Sequence, residues 1–185
     1  MAATRGSRRW LVTFTLVLVV ALGAAVLVGV LRLAQLRSVP LGAPRAIPTS
    51  GAGVATVELS ADAATHSSAD AVRTLLARHF DAINKKQYPT WATTVVPARV
   101  TQQPETAWKQ AYASTIDGNI RISRIDEQAP GKLVVLVSFI STQRPDSAPD
   151  DLKEPRICWR TAFTLVGDPM LIDISRSASM LRGRC

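Results

Sequence analysis

Cysteine and histidine are scarce, with two of each in 185 residues. That excludes a Cys₄ or Cys₂His₂ zinc site and any disulfide-dense scaffold. Aromatic residues make up 5% of the chain and charged residues 19%. Hydrophobic residues nevertheless reach 47%, so the chain has the apolar content to bury a core. At this length one ordinary domain is expected. No Lys/Arg-rich run interleaved with aromatics appears, although the formal net charge is +8. Residues 1–37 carry Arg5, Arg8, Arg9, Arg32 and Arg37 and no acid. Residues 38–185 carry 17 basic and 14 acidic groups, a net of only +3. The excess flanks one apolar segment, so no nucleic-acid partner is expected. Arginine outnumbers lysine 17 to 5, the bias of a GC-rich bacterial genome.

That segment, Trp10 to Leu31, is 22 residues without a charge. As a helix it would be about 33 Å long at about 1.5 Å per residue, enough for a bilayer core of about 30 Å. Arg8, Arg9, Arg32 and Arg37 stand at its ends, able to reach headgroups, and Trp10 sits at an interface position. A cleaved signal peptide is the competing reading, and Ala21-Leu22-Gly23 has the form of its small-x-small site. The apolar run continues for eight residues past Gly23, and no Cys follows that would serve as a lipid attachment site. We therefore expect an uncleaved anchor over 10–31. The short tail 1–9 should be cytoplasmic and the domain that follows extracytoplasmic. Ala21, Ala25 and Gly29 fall on one helix face at a spacing that permits close helix–helix approach.

Residues 32–66 are rich in Pro, Gly, Ala, Ser and Thr and read as a tether, with a short edge strand over Val54 to Leu59. A helix then starts at Ser67 or Ser68, with Ser67 and Asp70 at capping-box spacing. Val72, Leu75, Leu76, His79, Phe80 and Ile83 follow helical spacing, and the helix should end between Asn84 and Gln87. Pro89 to Val96 reads as a second short helix carrying Trp91, and Pro104-Glu105 opens a third with Trp108, Ala111, Tyr112 and Thr115 inward. From Asn119 the apolar period changes to two. Strands are expected over 119–128, 132–143, 156–166 and 170–180, with turns at Ala129-Pro130-Gly131 and Gly167-Asp168-Pro169. The fold class expected is α+β, helices packed on one face of a curved four-stranded antiparallel sheet in residues 67–185.

Phe80-Asp81-Ala82-Ile83-Asn84, then Tyr88, Trp91 and Ala92, resembles the end of the first helix in the NTF2-like superfamily. Cys158-Trp159, Phe163, Leu165-Val166 and Leu171-Ile172-Asp173 are similar to the closing hairpin of that superfamily. The resemblance covers about 67–180 and implies a cone-shaped α+β ectodomain. The whole layout, one anchor and one such domain, is similar to that of actinobacterial Mce-associated membrane proteins. The resemblance implies two classes of function. Some NTF2-like domains are isomerases or cyclases that use a carboxylate or His inside the cone beside a Tyr or second His. Others are binding modules.

His79 lies on the apolar face of the first helix, and His66 lies in the tether, where it should be solvated. Asp173 has the parity opposite Ile172 and Ile174, and no acid–base pair stands out. The acidic loop with Asp146, Asp150, Asp151 and Glu154 lacks the alternate ligand positions and central Gly of a calcium loop, so no metal and no cofactor is expected. His79, Phe80, Trp91, Trp108, Tyr112 and Trp159 are the candidate cavity-lining residues. Two readings of Cys158 and Cys185 stand open: a bridge, or two thiols, one in a strand and one at a frayed end. An outward-facing domain would favour the bridge. In a hairpin turning at 167–169, Cys158 falls opposite residue 178 or 179, so Cys185 would have to curl back by six or seven residues.

The expectation is a single-pass membrane protein whose non-catalytic domain binds a partner protein or a small apolar ligand at the membrane surface. The rival is a membrane-tethered enzyme. A cone filled by Phe, Trp and Leu would favour the first, and a carboxylate or His deep in an open cone would favour the second. The topology has its own test. Protease added to intact spheroplasts should digest residues 38–185, full protection of that region would reverse the orientation, and a soluble mature form would mean cleavage.

Overall fold

The computed structural model describes residues 47–173 and 180–185. The expected anchor at 10–31, the tail 1–9 and the small-residue face lie outside the described residues. Among the described residues no helix is long and apolar enough to cross a membrane.

The chain forms one six-stranded sheet with helices against one face. The strands are β1 (Val57–Leu59), β2 (Ile116–Ala129), β3 (Lys132–Thr142), β4 (Arg156–Val166), β5 (Leu171–Asp173) and β6 (Met180–Arg184). The order is β1-β2-β3-β4-β5, with β6 also on β4. The sheet is mixed and not purely antiparallel as expected: β1 runs parallel to β2, with Val57 opposite Ile120. The physical reason lies in the strap that precedes it. Val54 accepts a hydrogen bond from the Asn119 N–H, and β1 then fills the free edge of β2 in the same direction. The strap crosses the outer face of the sheet at Gly118, where a Cβ would stand 2.5 Å from the Gly53 carbonyl oxygen. Only glycine admits that crossing. Arg156 fastens the strap by donating from Nε to the Gly51 carbonyl and from Nη2 to the Pro48 carbonyl. From Ala52 onward, therefore, much of the expected tether is packed structure.

Five helices follow: α1 (Ala61–Ala64), α2 (Ala69–Asn84), α3 (Tyr88–Ala92), α4 (Pro97–Gln102) and α5 (Glu105–Tyr112). The Ser60 hydroxyl caps α1 by accepting from the Ala63 N–H. The expected capping box on α2 does not form. Ser68 makes no side-chain cap, and Asp70 pairs with Arg73 instead. His66 takes over part of that work, its Nδ1 accepting from the Ser68 N–H, so it is not simply solvated. The stripe Val72, Leu76, His79, Phe80 and Ile83 is buried as the helical period requires. Sequence periodicity did not resolve α4, a two-turn helix with no buried residue of its own.

Proline and glycine make the β2–β3 turn at Pro130 and Gly131, the latter at φ 71°. Leu133, Val135 and Val137 of β3 and Phe163 and Leu165 of β4 face the helices and join α2 in the core. Of the expected last strand over 170–180, the described residues pair with β4 in two different registers. Ile172 stands opposite Leu165, yet Gly183 stands opposite Cys158, so four extra residues enter between the two pairings. That shift brings Cys185 to two residues past the partner of Cys158 instead of six or seven. The two form a disulfide with Cα atoms 5.1 Å apart. Closing a loop of this length stabilises a domain by roughly 3–4 kcal/mol in the chain-entropy account.

Phe80 is 2% exposed, whereas Trp159 is half-buried against Phe139. Phe80→Ala should therefore cost about 3–5 kcal/mol and Trp159→Ala less than about 2 kcal/mol, read from urea unfolding midpoints. Equal losses would mean that the two rings do not differ in burial.

Candidate functional site

A cavity of about 350 Å³ lies between the helices and the concave face of the sheet. The wall from α2 is His79, Phe80 and Ile83, from α4 Arg99 with Gln103 just past its end, and from α5 Ala111 and Tyr112. Asp117 of β2, Phe139 and Ser141 of β3, and Trp159 and Phe163 of β4 also line it, with Thr115, Gln143, Met180 and the loop residues Ser147, Ala148 and Pro149. Of the six residues expected to line a cavity, His79, Phe80, Tyr112 and Trp159 do so. Trp91 and Trp108 are instead core, 1% and 0% exposed, their ring centroids 5.6 Å apart in a chain of rings with Tyr88 and Tyr112. Filling the core in this way leaves the space beyond Tyr112 open.

The turn after α2 sets the polar end of the cavity. Lys86 takes φ 59°, its N–H bonds the Ile83 carbonyl, and the Gln87 N–H bonds the Ala82 carbonyl. This pair of bonds is a Schellman closure with lysine where glycine is usual. The left-handed residue sends its ammonium to the Thr115 carbonyl. Two residues earlier, at the end of α2, Asn84 clamps the backbone of Asp117. Its Nδ2 donates to the Asp117 carbonyl at 2.9 Å and its Oδ1 accepts from the Asp117 N–H at 2.7 Å. This asparagine thus fixes the start of β2.

Asp117 is 3% exposed. Burial pushes its carboxyl up to about 7, and the Lys86 charge only partly offsets this. His79, 4% exposed, is pushed down to about 3 by burial and then by the charge of Arg99. Its tautomer follows from its neighbour. Thr94 donates its one hydroxyl proton to the Trp91 carbonyl at 2.6 Å, so Thr94 Oγ1 accepts from His79 Nδ1–H at 2.8 Å. His79 is therefore neutral, with Nε2 as an acceptor. Burial raises the Tyr112 phenol, Asp117 adds to the rise and Arg99 opposes it. No protein-family model, curated protein or solved structure matches the chain.

Sequence reasoning missed Asp117 and Arg99. Asp117 sat before the expected strand start at Asn119, and Arg99 sat on the unrecognised α4. Sequence parity pointed the other way: Asp117 is out of step with the inward Ile120 and Ile122, and the register shift between Gly118 and Arg121 is what lets all three face inward. The acidic loop holds no metal cluster among the described residues. Asp146 pairs with Arg144, Asp150 with Lys153, Asp151 with Arg182 and Glu154 with Arg184.

His79 and Asp117 bend the pH dependence of stability in opposite directions. Between about pH 3 and 6.5 the unfolded His79 binds a proton that the native one does not, so stability rises with pH. Between 3.8 and about 7 the native Asp117 keeps a proton that the unfolded one loses, so stability falls with pH. From pH 4 to 6, Asp117→Asn should gain stability relative to wild type at about 1.4 kcal/mol per pH unit, and His79→Gln should lose it at a similar rate. Denaturant titrations at pH 4, 5 and 6 measure this. Curves parallel to wild type for both variants would show that neither group is perturbed as described.

Proposed function

We propose that the chain is a single-pass membrane protein whose extracytoplasmic NTF2-like domain binds a small amphiphile in the cone, without changing it. The observation that carries this reading is the open cavity itself. Aromatic walls from Phe80, Phe139, Trp159 and Phe163 converge on one polar end formed by Asp117, Tyr112 and Arg99. Apolar walls with a few convergent polar groups are the usual composition of small-molecule sites, and about 350 Å³ lies at the small end of their range. A second reading, a membrane-tethered enzyme of the isomerase or cyclase type, is favoured by Asp117, which lies in the open cavity with His79 and close enough to Tyr112 to raise its phenol. A buried carboxyl poised near neutrality is suited to moving a proton. We rank it second because the neutral His79 spends its Nδ1–H on Thr94, and among the described residues no hydrogen bond or ion pair joins it to Asp117.

The test is purification of the full chain from its native membranes, followed by mass spectrometry of the small molecules it carries. A molecule held by wild type should be lost from Ala111→Trp, which puts an indole at the cavity wall. Asp117→Asn should carry the same molecule as wild type. Accumulation of a different molecule on Asp117→Asn, related to the first by a proton shift or ring closure, would make the enzyme reading correct. Equal loading of Ala111→Trp and wild type would refute both.

A further inference from the structure

We propose that the cavity selects a ligand ending in a carboxylate, taken by the Arg99 guanidinium beside the Tyr112 hydroxyl. This deepens the ligand-binding reading above and rests on it. Arg99 offers five donors in a planar fork. Its Nη2 donates to Gln103 Oε1 at 2.9 Å. Its Nε is buried and has no acceptor. Among the described residues no acidic side chain lies within ion-pair distance of it. A buried donor on a charged group left without a partner is costly, and the neutral partners Gln103 and Tyr112 leave Nε unanswered. A carboxylate matches the fork with two parallel bonds, which a hydroxyl or a ketone cannot do.

The surroundings fit an anion whose charge is specified at one point. His79 is neutral, with its Nε2 an acceptor, and adds no competing charge. The walls beyond Tyr112 are Phe139, Trp159 and Phe163, which suit an aryl or alkyl body. The titratable and charged groups around Asp117 are His79 from α2, Lys86 just past it, Arg99 from α4 and Tyr112 from α5. β3 offers neutral Ser141, and neutral Gln143 follows it. Of all of these, Asp117 is the one that would oppose an incoming carboxylate, and only when ionised. Binding of the anion is therefore coupled to uptake of one proton by Asp117, and affinity falls as pH rises through neutrality.

The probes are 1-naphthylacetate and its neutral counterpart 1-naphthylacetamide, which differ only at the polar end. Equilibrium dialysis of the full chain in lipid nanodiscs, with empty nanodiscs subtracted, gives both affinities. The acid should bind about tenfold more tightly than the amide at pH 6, the size of one charge-assisted bidentate contact less its desolvation. That preference should vanish in Arg99→Gln and survive in part in Arg99→Lys. Amide binding should fall less than acid binding in both variants, and urea unfolding midpoints close to wild type report that they are folded. Acid affinity should drop several-fold from pH 6 to pH 8 in wild type and stay level in Asp117→Asn. Equal binding of acid and amide, or a preference that persists in Arg99→Gln, would overturn the carboxylate proposal while leaving the cavity as a ligand site. Failure of both probes to bind, with Ala111→Trp indistinguishable from wild type, would overturn the two together.

Discussion

The clamp between Asn84 and the backbone of Asp117 is the constraint on which the site depends. It joins the C-terminus of α2 to the first residues of β2 through a reciprocal pair of bonds at a place where β1 no longer covers the strand edge. With that edge satisfied, Ile116 to Gly118 can continue the ladder against Ile140 to Thr142. The side chain of Asp117 is then committed to the inner face. Lys86, held left-handed one turn away, supplies a cation near enough to temper the carboxyl but not to pair with it. The polar end of the cavity is thus a by-product of how one helix is terminated.

Most of the architecture was legible in residues 67–185 because its signals are periodic. The α2 stripe, the alternation of Ile157, Thr161, Phe163 and Leu165, and the Pro130-Gly131 turn each repeat a rule that local sequence obeys. What escaped was set by tertiary partners. β1 has three residues and exists because β2 has an open edge and Gly118 lets the strap cross. The capping box on α2 was displaced because Asp70 found Arg73 and His66 reached the Ser68 N–H. The register of β6 depends on four residues inserted into a strand that reads as continuous.

The site was only half legible for the same reason. Aromatic residues announce an apolar wall but not which side of it stays open. Trp91 and Trp108 pack against each other and close the core, whereas Tyr112, next along the same row of rings, meets the cavity. The acid and the arginine that give the cavity its polarity sit in segments with no periodicity, a strand start and a two-turn helix. Position in three dimensions, not residue type, makes them a pair.

The strap and the disulfide end on the same stretch of β4. Arg156 grips the carbonyls of Pro48 and Gly51, and Cys158, two residues on, is bonded to Cys185. Mechanical load entering through the strap therefore has a short path: Arg156, the first turn of the β4 ladder, the covalent bridge. The helices and Asn84 lie off that path, whereas Trp159, next to the bridged Cys158, belongs to the cavity wall. A pull on the strap would be borne first by Arg156 and the bridge, at one corner of the sheet, with the aromatic wall of the cavity as its nearest neighbour.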